Sequence, residues 1–154
     1  MPKKPTPADA ELLLKLYDLR REAESRKARN WWLVDFWPDN ADDVMKVAQA
    51  MGTPENNWLR QVAGYWELAA SLVVHGTVNE TLFLEPAFSG EMFLIFAKLH
   101  PFLQDVREKM QNPRMLANVE KVIKKSKAGQ ERLKAVEQRL AARRKQMKEG
   151  AARK

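Results

Sequence analysis

The chain of 154 residues is long enough for one ordinary domain with an appendage, and its 45% hydrophobic content is normal for a globular protein. It contains no cysteine, which excludes a disulfide framework, a thiolate metal site and a cysteine nucleophile. The net charge of +7 is unevenly distributed: residues 121–154 carry 13 − 3 = +10, whereas residues 1–120 carry 14 − 17 = −3. We therefore expect a neutral to acidic body with a cationic arm.

The N-terminal residues 1–7 are charged and rich in proline, and no apolar stretch of signal-peptide length follows them. The sequence also has no run of about 18 apolar residues, the length that spans a membrane. These features predict a flexible segment over residues 1–7 and a cytoplasmic protein.

Helix start and stop signals recur along the chain. Thr6, Thr53 and Asn112 each precede a proline, a pairing typical of a helix N-cap and first turn, and Gly52 and Gly76 lie where glycine commonly ends a helix. Apolar residues recur every three or four positions between these signals, and no stretch alternates as a strand would. The pattern predicts helices over about 8–30, 41–51, 54–75, 79–85 and 88–110, and a last helix from residue 113.

Pro101 lies within the pattern of residues 88–110, so we expect a kink or break at His100. The apolar stripes of the predicted helices are wide enough to bury against one another. The predicted fold class is therefore all-α: a small bundle of about five helices over residues 8–125, followed by a basic helical tail over residues 126–154.

The last predicted helix continues into the tail in a heptad register, with alternating steps of three and four residues. Ser126, Gly129 and Arg143 interrupt the apolar seam. Two interpretations remain open. The seam forms a weak coiled coil that makes a homodimer, or the helix is solvated and frays beyond Ala141 because an isolated helix needs packing to persist.

Motifs for catalysis are absent from the sequence, which has no glycine-rich phosphate loop, no nucleophile motif and no di-iron signature. His75 and His100 lie in different predicted helices, and neither has a second metal ligand at helical spacing. We expect structural roles for both histidines. We expect no enzymatic activity, no cofactor and no metal.

Glu67 follows two aromatic residues and lies close to an apolar stripe. A partly buried acid needs a partner, and Arg107 on an opposed helix could supply one. We therefore predict a structural ion pair between Glu67 and Arg107. The alternative, a general acid or base, has no second group in the sequence to work with.

Four aromatic residues are concentrated before residues 38–40, and they are Trp31, Trp32, Phe36 and Trp37. The favoured interpretation is that they anchor a helix end to the core, because a bundle of this size needs large apolar side chains. Two alternatives remain open. Together with basic residues upstream, the rings could stack nucleobases, or they could form an exposed hydrophobic docking patch for a protein.

The end of the chain carries the strongest indication of a partner, because its basic residues would surround most faces of a helix. The candidates for binding phosphate or an acidic partner are Lys124, Lys125, Lys127, Arg132, Lys134, Arg139, Arg143, Arg144, Lys145 and Lys148. No motif that reads DNA bases accompanies them, and the apolar face lacks the aromatic residues of a membrane-surface helix. Three interpretations remain: a solvated helix, a phosphate-binding arm for nucleic acid, or a docking helix for an acidic protein or lipid surface.

Between residues 65 and 122 a series of features occurs in a fixed order: Tyr65-Trp66-Glu67, His75-Gly76, Val78 to Leu82, Pro101-Phe102, Arg107 and Asn112-Pro113-Arg114. This order resembles a bacterial family of uncharacterised helical proteins, known only as a domain of unknown function. Many of its members look like a membrane helix followed by a cytoplasmic helical domain, whereas no such membrane helix is present in this sequence. The resemblance implies no known reaction, and it supports an architectural pairing of Glu67 with Arg107.

We therefore expect a non-enzymatic interaction or scaffold protein that binds a protein partner or itself, with homodimerisation through the C-terminal helix. The alternative is a nucleic-acid-associated protein whose tail binds phosphates without sequence preference.

Overall fold

The computed structural model describes residues 3–154, so Met1 and Pro2 of the predicted flexible segment lie outside the described residues. The described chain is helical without a strand, which confirms the all-α prediction. The helices are α1 (Pro7–Leu19), α2 (Ala23–Asn30), α3 (Ala41–Gln49), α4 (Pro54–Val74), α5 (Glu80–Phe83), α6 (Pro86–Leu99), α7 (Leu103–Lys109), α8 (Ala117–Lys124) and α9 (Lys127–Ala152). Within this range no helix combines the length and the apolar character needed to cross a membrane.

Several helix boundaries follow directly from local chemistry. Thr6 Oγ1 accepts the N–H of Asp9 (3.3 Å), and the Asp9 carboxylate accepts the N–H of Thr6 in return (2.7 Å), which makes a capping box at α1. Thr53 caps α4 through its own hydroxyl oxygen. Gly52 and Gly76 have φ angles of 87° and 72°, in the left-handed region that glycine enters without steric cost.

The break before Pro101 is also present. Helix α6 ends at Leu99, and a 3-10 turn over His100–Phe102 connects it to α7. Proline has no N–H to donate and its ring clashes with the preceding turn, so the α-helical ladder cannot continue unchanged through this position.

Two predicted helices are each divided in the structure. The helix predicted over residues 8–30 ends at Leu19 and restarts at Ala23, where Glu22 acts as N-cap by accepting the N–H of Ser25 (3.0 Å). The last predicted helix is divided at Ser126, whose Oγ accepts the N–H of Gly129 (3.0 Å) as the N-cap of α9. The spacing of apolar residues continues on both sides of each cap, and Ser126 was identified only as an interruption of the seam, so periodicity alone did not reveal the caps.

The segment after Asn112 is a turn, so the predicted helix start at residue 113 is wrong. Asn112 Oδ1 accepts the N–H of Arg114 (3.2 Å), which closes a local turn instead of a helix. Helix α8 starts later, at Ala117, after Leu116 adopts a left-handed conformation with a φ of 55°.

The core is continuous across the bundle. Helix α4 packs against α2, α3 and α8, and α6 packs against α8 and α9. The largest fully buried side chains include Trp32 before α3, Trp66 of α4, Phe83 of α5, and Phe93 and Phe96 of α6. Their shared cluster joins these elements into a single apolar interior.

The first half of α9 belongs to this core. Leu133 and Val136 are only 4% and 5% exposed, and Leu140 packs against the same cluster. These heptad positions therefore contact α6 of the same chain, so the seam that a homodimeric coiled coil would use is already occupied. The packed core continues past residue 125, where the sequence predicted that it would end.

Candidate functional site

The aromatic cluster before α3 lies mostly inside the protein. Trp31, Trp32 and Phe36 are 7%, 1% and 6% exposed, and the rings of Trp31 and Phe36 stack with centroids 4.4 Å apart. Trp32 Nε1 donates a hydrogen bond to the carbonyl of Trp58 in α4 (3.2 Å), and of the four predicted residues only Trp37 is partly exposed. The three buried rings therefore form neither an exposed docking patch nor a nucleobase-stacking surface, so these two alternatives are wrong for them. Instead, the rings anchor this segment against α4.

Trp31–Asp35 form a π-helical turn, and Lys98 of α6 binds the end of this turn. The N–H of Phe36 bonds to the carbonyl five residues earlier, which leaves the Trp32 carbonyl free for a side chain. Lys98 Nζ donates to the carbonyls of Trp32 and Phe36, the latter at 2.8 Å, and lies 3.9 Å from the centre of the Trp37 ring. Burial lowers the pKa of Lys98 from 10.5 to about 8.

Arg144 of α9 binds the same region from outside. Its Nη1 donates to Asp39 (2.5 Å), its Nη2 donates to the carbonyl of Pro38 (3.1 Å), and its guanidinium lies 5.6 Å from the centre of the Trp37 ring. Arg144 was predicted to be a phosphate or acidic-partner contact. Its acidic partner is instead Asp39 of the same chain. This ion pair holds α9, at residue 144, against the loop before α3.

Glu67 acts as the cap of another helix. Its carboxylate accepts the backbone N–H groups of Asn118 (2.9 Å) and Val119 (3.2 Å) at the start of α8. The residue in the N-cap position, Leu116, has no side-chain acceptor to satisfy these groups. Since α4 packs along α8, a carboxylate from α4 supplies the acceptor and interacts favourably with the positive end of the helix dipole.

The predicted ion pair between Glu67 and Arg107 is wrong. Arg107 Nη1 donates to Glu120 (3.1 Å), and its Nε donates to the carbonyl of Met115 (2.9 Å). Arg107 therefore holds the turn before α8, while Glu67 binds the backbone that follows it. Both residues have the architectural roles that were expected of them, with different partners.

The histidines are separated, as the sequence indicated. His75 is an exposed residue at the C-cap of α4. His100 stacks on Phe96 with ring centroids 5.1 Å apart, and its Nδ1 lies 2.5 Å from Glu137 of α9. Across residues 3–154, no group of three or more metal-binding side chains is placed to hold a metal ion.

Ten basic residues were predicted to bind phosphate or an acidic partner, and five of them contact acids or carbonyls of the same chain. Four of them form ion pairs: Lys124 with Glu120 (3.0 Å), Lys125 with Glu80 (2.5 Å), Lys127 with Glu131 (3.9 Å) and Arg144 with Asp39 (2.5 Å). The fifth, Arg132, donates to the carbonyl of Leu84 (2.8 Å) and to Ser89 Oγ (2.9 Å), and its guanidinium lies 4.0 Å from the centre of the Phe93 ring. These contacts involve the five residues in bonds within the chain, although Arg132 has no acidic partner there and Lys127 forms only a long pair at the surface.

The other five cations have neither an ion pair nor a side-chain hydrogen bond to the described residues, and all are exposed. We call them the exposed cations of α9: Lys134, Arg139, Arg143, Lys145 and Lys148. At 3.6 residues per turn, the three lysines lie on one flank of the apolar stripe and the two arginines lie on the other. At 1.5 Å per residue, they extend over about 21 Å of the helix.

Comparison with known proteins identifies a family and no characterised relative. The family described as Domain of unknown function (DUF4760) matches residues 5–126, which reaches further toward the N-terminus than the resemblance over residues 65–122. No curated protein and no solved structure matches the chain. Because the family match covers more than half of the sequence, the protein belongs to the family described as Domain of unknown function (DUF4760).

Proposed function

We propose that this protein is a non-enzymatic binding module that attaches to nucleic acid through the phosphate contacts of α9. The observation that carries the proposal is the set of five exposed cations of α9, which face solvent without an acid in reach among the described residues. Phosphates attract such charges without requiring a fixed geometry, so binding would not depend on base sequence.

The packing of α9 supports this role. Leu133 and Val136 fix the first half of the helix in the core, and Arg144 fixes its middle through Asp39. The exposed cations therefore project from a helix with a defined orientation, which lowers the entropic cost of aligning several of them along one phosphate backbone.

Two properties favour nucleic acid over a protein surface. The cations occupy both flanks of α9, so a partner must present negative charge over a wide area, as a nucleic acid backbone does. In addition, three of the four aromatic residues that would provide a hydrophobic docking patch are buried, and the apolar stripe of α9 packs against α6 as far as Leu140. These buried side chains are not available to a protein partner, which typically binds through large apolar residues.

The test is the binding of labelled duplex DNA, single-stranded DNA and RNA at 50 and 200 mM salt, measured by fluorescence anisotropy. If all five cations contact phosphates, the salt slope is about −4.5 for duplex DNA and about −3.5 for single strands. Affinity should therefore fall about 500-fold for the duplex and about 130-fold for single strands over this fourfold change in salt. Replacing the exposed cations of α9 with glutamine should abolish binding at both salt concentrations.

A matched control variant removes the same number of charges elsewhere. Five exposed cations of the body have no side-chain contact to the described residues, and they are Lys4, Lys15, Arg21, Arg26 and Arg114. Their replacement with glutamine should leave most of the binding intact. Equal loss in both variants would show that net charge alone drives binding, and no binding at 50 mM salt would refute the proposal and favour an acidic protein partner.

A further inference from the structure

A cavity of about 360 Å³ lies where the junction of α1 and α2 meets α4 and α6. It is separate from α9 and from the exposed cations. Its volume is within the range of roughly 300–1,000 Å³ that is usual for sites binding small molecules. Its polar lining residues are Arg20, Glu22, Ser25, Arg29, Gln61, Tyr65 and Glu91.

Arg20 is the unusual member of this lining, because it is a buried cation without an acidic partner among the described residues. The residue is 5% exposed, and its Nη1 makes one long hydrogen bond to the carbonyl of Phe88 (3.3 Å). Its Nε has no hydrogen-bond partner, and its Nη2 makes no hydrogen bond to the described protein. A guanidinium has five N–H donors, so most of the donors of Arg20 are unused.

Three aromatic rings hold this guanidinium in place. Its central carbon lies 4.5 Å from the ring centre of Tyr17, 5.2 Å from that of Trp66 and 5.1 Å from that of Phe88. Such contacts stabilise a cation and fix its orientation, but they accept none of its N–H hydrogen bonds. The rings therefore explain how Arg20 is positioned, and most of its hydrogen-bonding capacity is still unused.

The nearest buried acid is already fully used. Glu91 is a buried carboxylate that accepts the Nε–H of Arg29 (2.5 Å) with one oxygen and the Nε1–H of Trp66 (2.9 Å) with the other. Glu22 is an exposed lining residue whose carboxylate caps α2 by accepting the N–H of Ser25 (3.0 Å). The lining therefore carries two guanidinium groups and two carboxylates, a balance of 2 − 2 = 0, but neither carboxylate forms an ion pair with Arg20. Burial raises the pKa of Tyr65 to about 12, so its phenol stays neutral and adds no negative charge.

The remaining polar atoms of the cavity complement a small anion. Gln61 Nε2 donates to Ser25 Oγ (3.1 Å), which leaves the hydroxyl proton of Ser25 free to donate and the amide oxygen of Gln61 free to accept. Leu19 and Val62 add an apolar wall. The cavity thus combines one guanidinium without an ion pair, a donor and acceptor pair, and apolar surface.

We propose that this cavity binds a small organic monocarboxylate, with its carboxylate on Arg20 and a polar substituent held by Ser25 and Gln61. One guanidinium without an ion pair can offset one negative charge, so a monoanion suits it better than a dianion such as hydrogen phosphate, which would carry an uncompensated negative charge into a partly buried site. A planar carboxylate also matches the geometry of a guanidinium. This site goes beyond the proposed binding of nucleic acid and does not depend on it.

The experiment uses the full chain with acetate, lactate, benzoate and inorganic phosphate as probes at constant ionic strength. The readouts are the melting temperature and the NMR resonance of the Arg20 Nε–H group. We expect at least one carboxylate to raise the melting temperature and to shift this resonance saturably, and we expect Arg20→Met to abolish the rise. Gln61→Glu, which adds a negative charge to a partly exposed position, should weaken binding at least tenfold without removing Arg20.

Arg21→Met is the matched control, because Arg21 is the exposed neighbour of Arg20 and makes no side-chain contact to the described residues. It should bind the carboxylate as the unmodified chain does. The proposal is overturned if no carboxylate shifts the Arg20 resonance at 10 mM, if only phosphate does so, or if Gln61→Glu leaves the affinity unchanged. If Arg20→Met does not fold, the Gln61→Glu result decides alone.

Discussion

Replacing Gly129 with alanine should destabilise this protein, although alanine normally stabilises a helix by about 1 kcal/mol relative to glycine. Gly129 lies in the first turn of α9, where the chain passes close to the end of α8. A Cβ atom at this position would lie 2.1 Å from the carbonyl oxygen of Ile123 and 3.2 Å from its carbonyl carbon. The closest atom belongs to the backbone, so no side-chain rotation can relieve the clash.

The expected loss of stability depends on the residues that the start of α9 holds in the core. Overpacking a closely packed site costs about 1–3 kcal/mol. A shift of α9 would also partly expose Leu133 and Val136, each of which contributes about 1.5–3 kcal/mol when fully buried. After subtracting the gain in helix propensity, we expect Gly129→Ala to lower the free energy of unfolding by about 2–4 kcal/mol.

Gly64→Ala is the matched control, because it makes the same change inside α4. No heavy atom lies within 4 Å of the Cβ that this substitution would add. It should raise the free energy of unfolding by about 0.5–1 kcal/mol. Urea unfolding followed by circular dichroism measures both variants. Stabilisation by Gly129→Ala equal to that by Gly64→Ala would refute the close approach of α8 and α9 and, with it, the described position of the C-terminal helix.

The remaining predictions concern three further contacts. Glu67→Ala should lower the free energy of unfolding by about 1–2 kcal/mol and Glu67→Gln by less, because Gln keeps an acceptor for the start of α8. No loss at all from Glu67→Gln in urea unfolding would contradict a charge-assisted cap. In the folded protein the pKa of Lys98 is about 8, compared with its ordinary value of 10.5. Between these two pH values the unfolded state binds more protons than the folded state, so the free energy of unfolding should rise with pH. Between pH 7.5 and 9 the gain should be about 1 kcal/mol in denaturant titrations, and Lys98→Met should remove it; an unchanged pH dependence in that variant would assign the effect elsewhere. Truncation after Ser126 should lower the free energy of unfolding by about 3–6 kcal/mol, because Leu133 and Val136 leave the core. Truncation after residue 145 should lower it by less than about 1 kcal/mol. The melting curves of the two truncated proteins distinguish these outcomes.

Features controlled by near neighbours in the sequence could be predicted. Thr6 and Thr53 cap helices whose first turns lie within three residues of them, and Gly76 ends α4 through its own conformation. Pro101 interrupts its helix through its own ring and missing N–H. None of these effects requires knowledge of which helices pack together, so the pattern of caps, glycines and prolines is sufficient to predict them.

Features controlled by packing between distant elements could not be predicted in the same way. Glu67 was recognised as a partly buried acid, but its partners are backbone groups of α8, and only the packing of α4 against α8 brings them together. Arg20 lies in a polar stretch that ordinarily stays exposed. It lies four residues after buried Leu16, on the same face of α1, and only the packing of this helix end places its side chain against Trp66 and Phe88.

The charge asymmetry of the sequence illustrates the same distinction at the level of function. Counting residues assigns the excess positive charge to the end of the chain, but it cannot show that acids such as Glu80 and Asp39 offset part of it. The family match ends at residue 126, and α9 begins at Lys127. Helix α9 packs its apolar stripe on α6 and presents its exposed cations outward. The proposed nucleic acid binding therefore belongs to a segment outside the matched residues, whereas the Arg20 cavity lies entirely within them. If both proposals hold, removing the exposed cations of α9 should abolish nucleic acid binding and leave carboxylate binding unchanged, so the two sites can be tested separately in one set of variants.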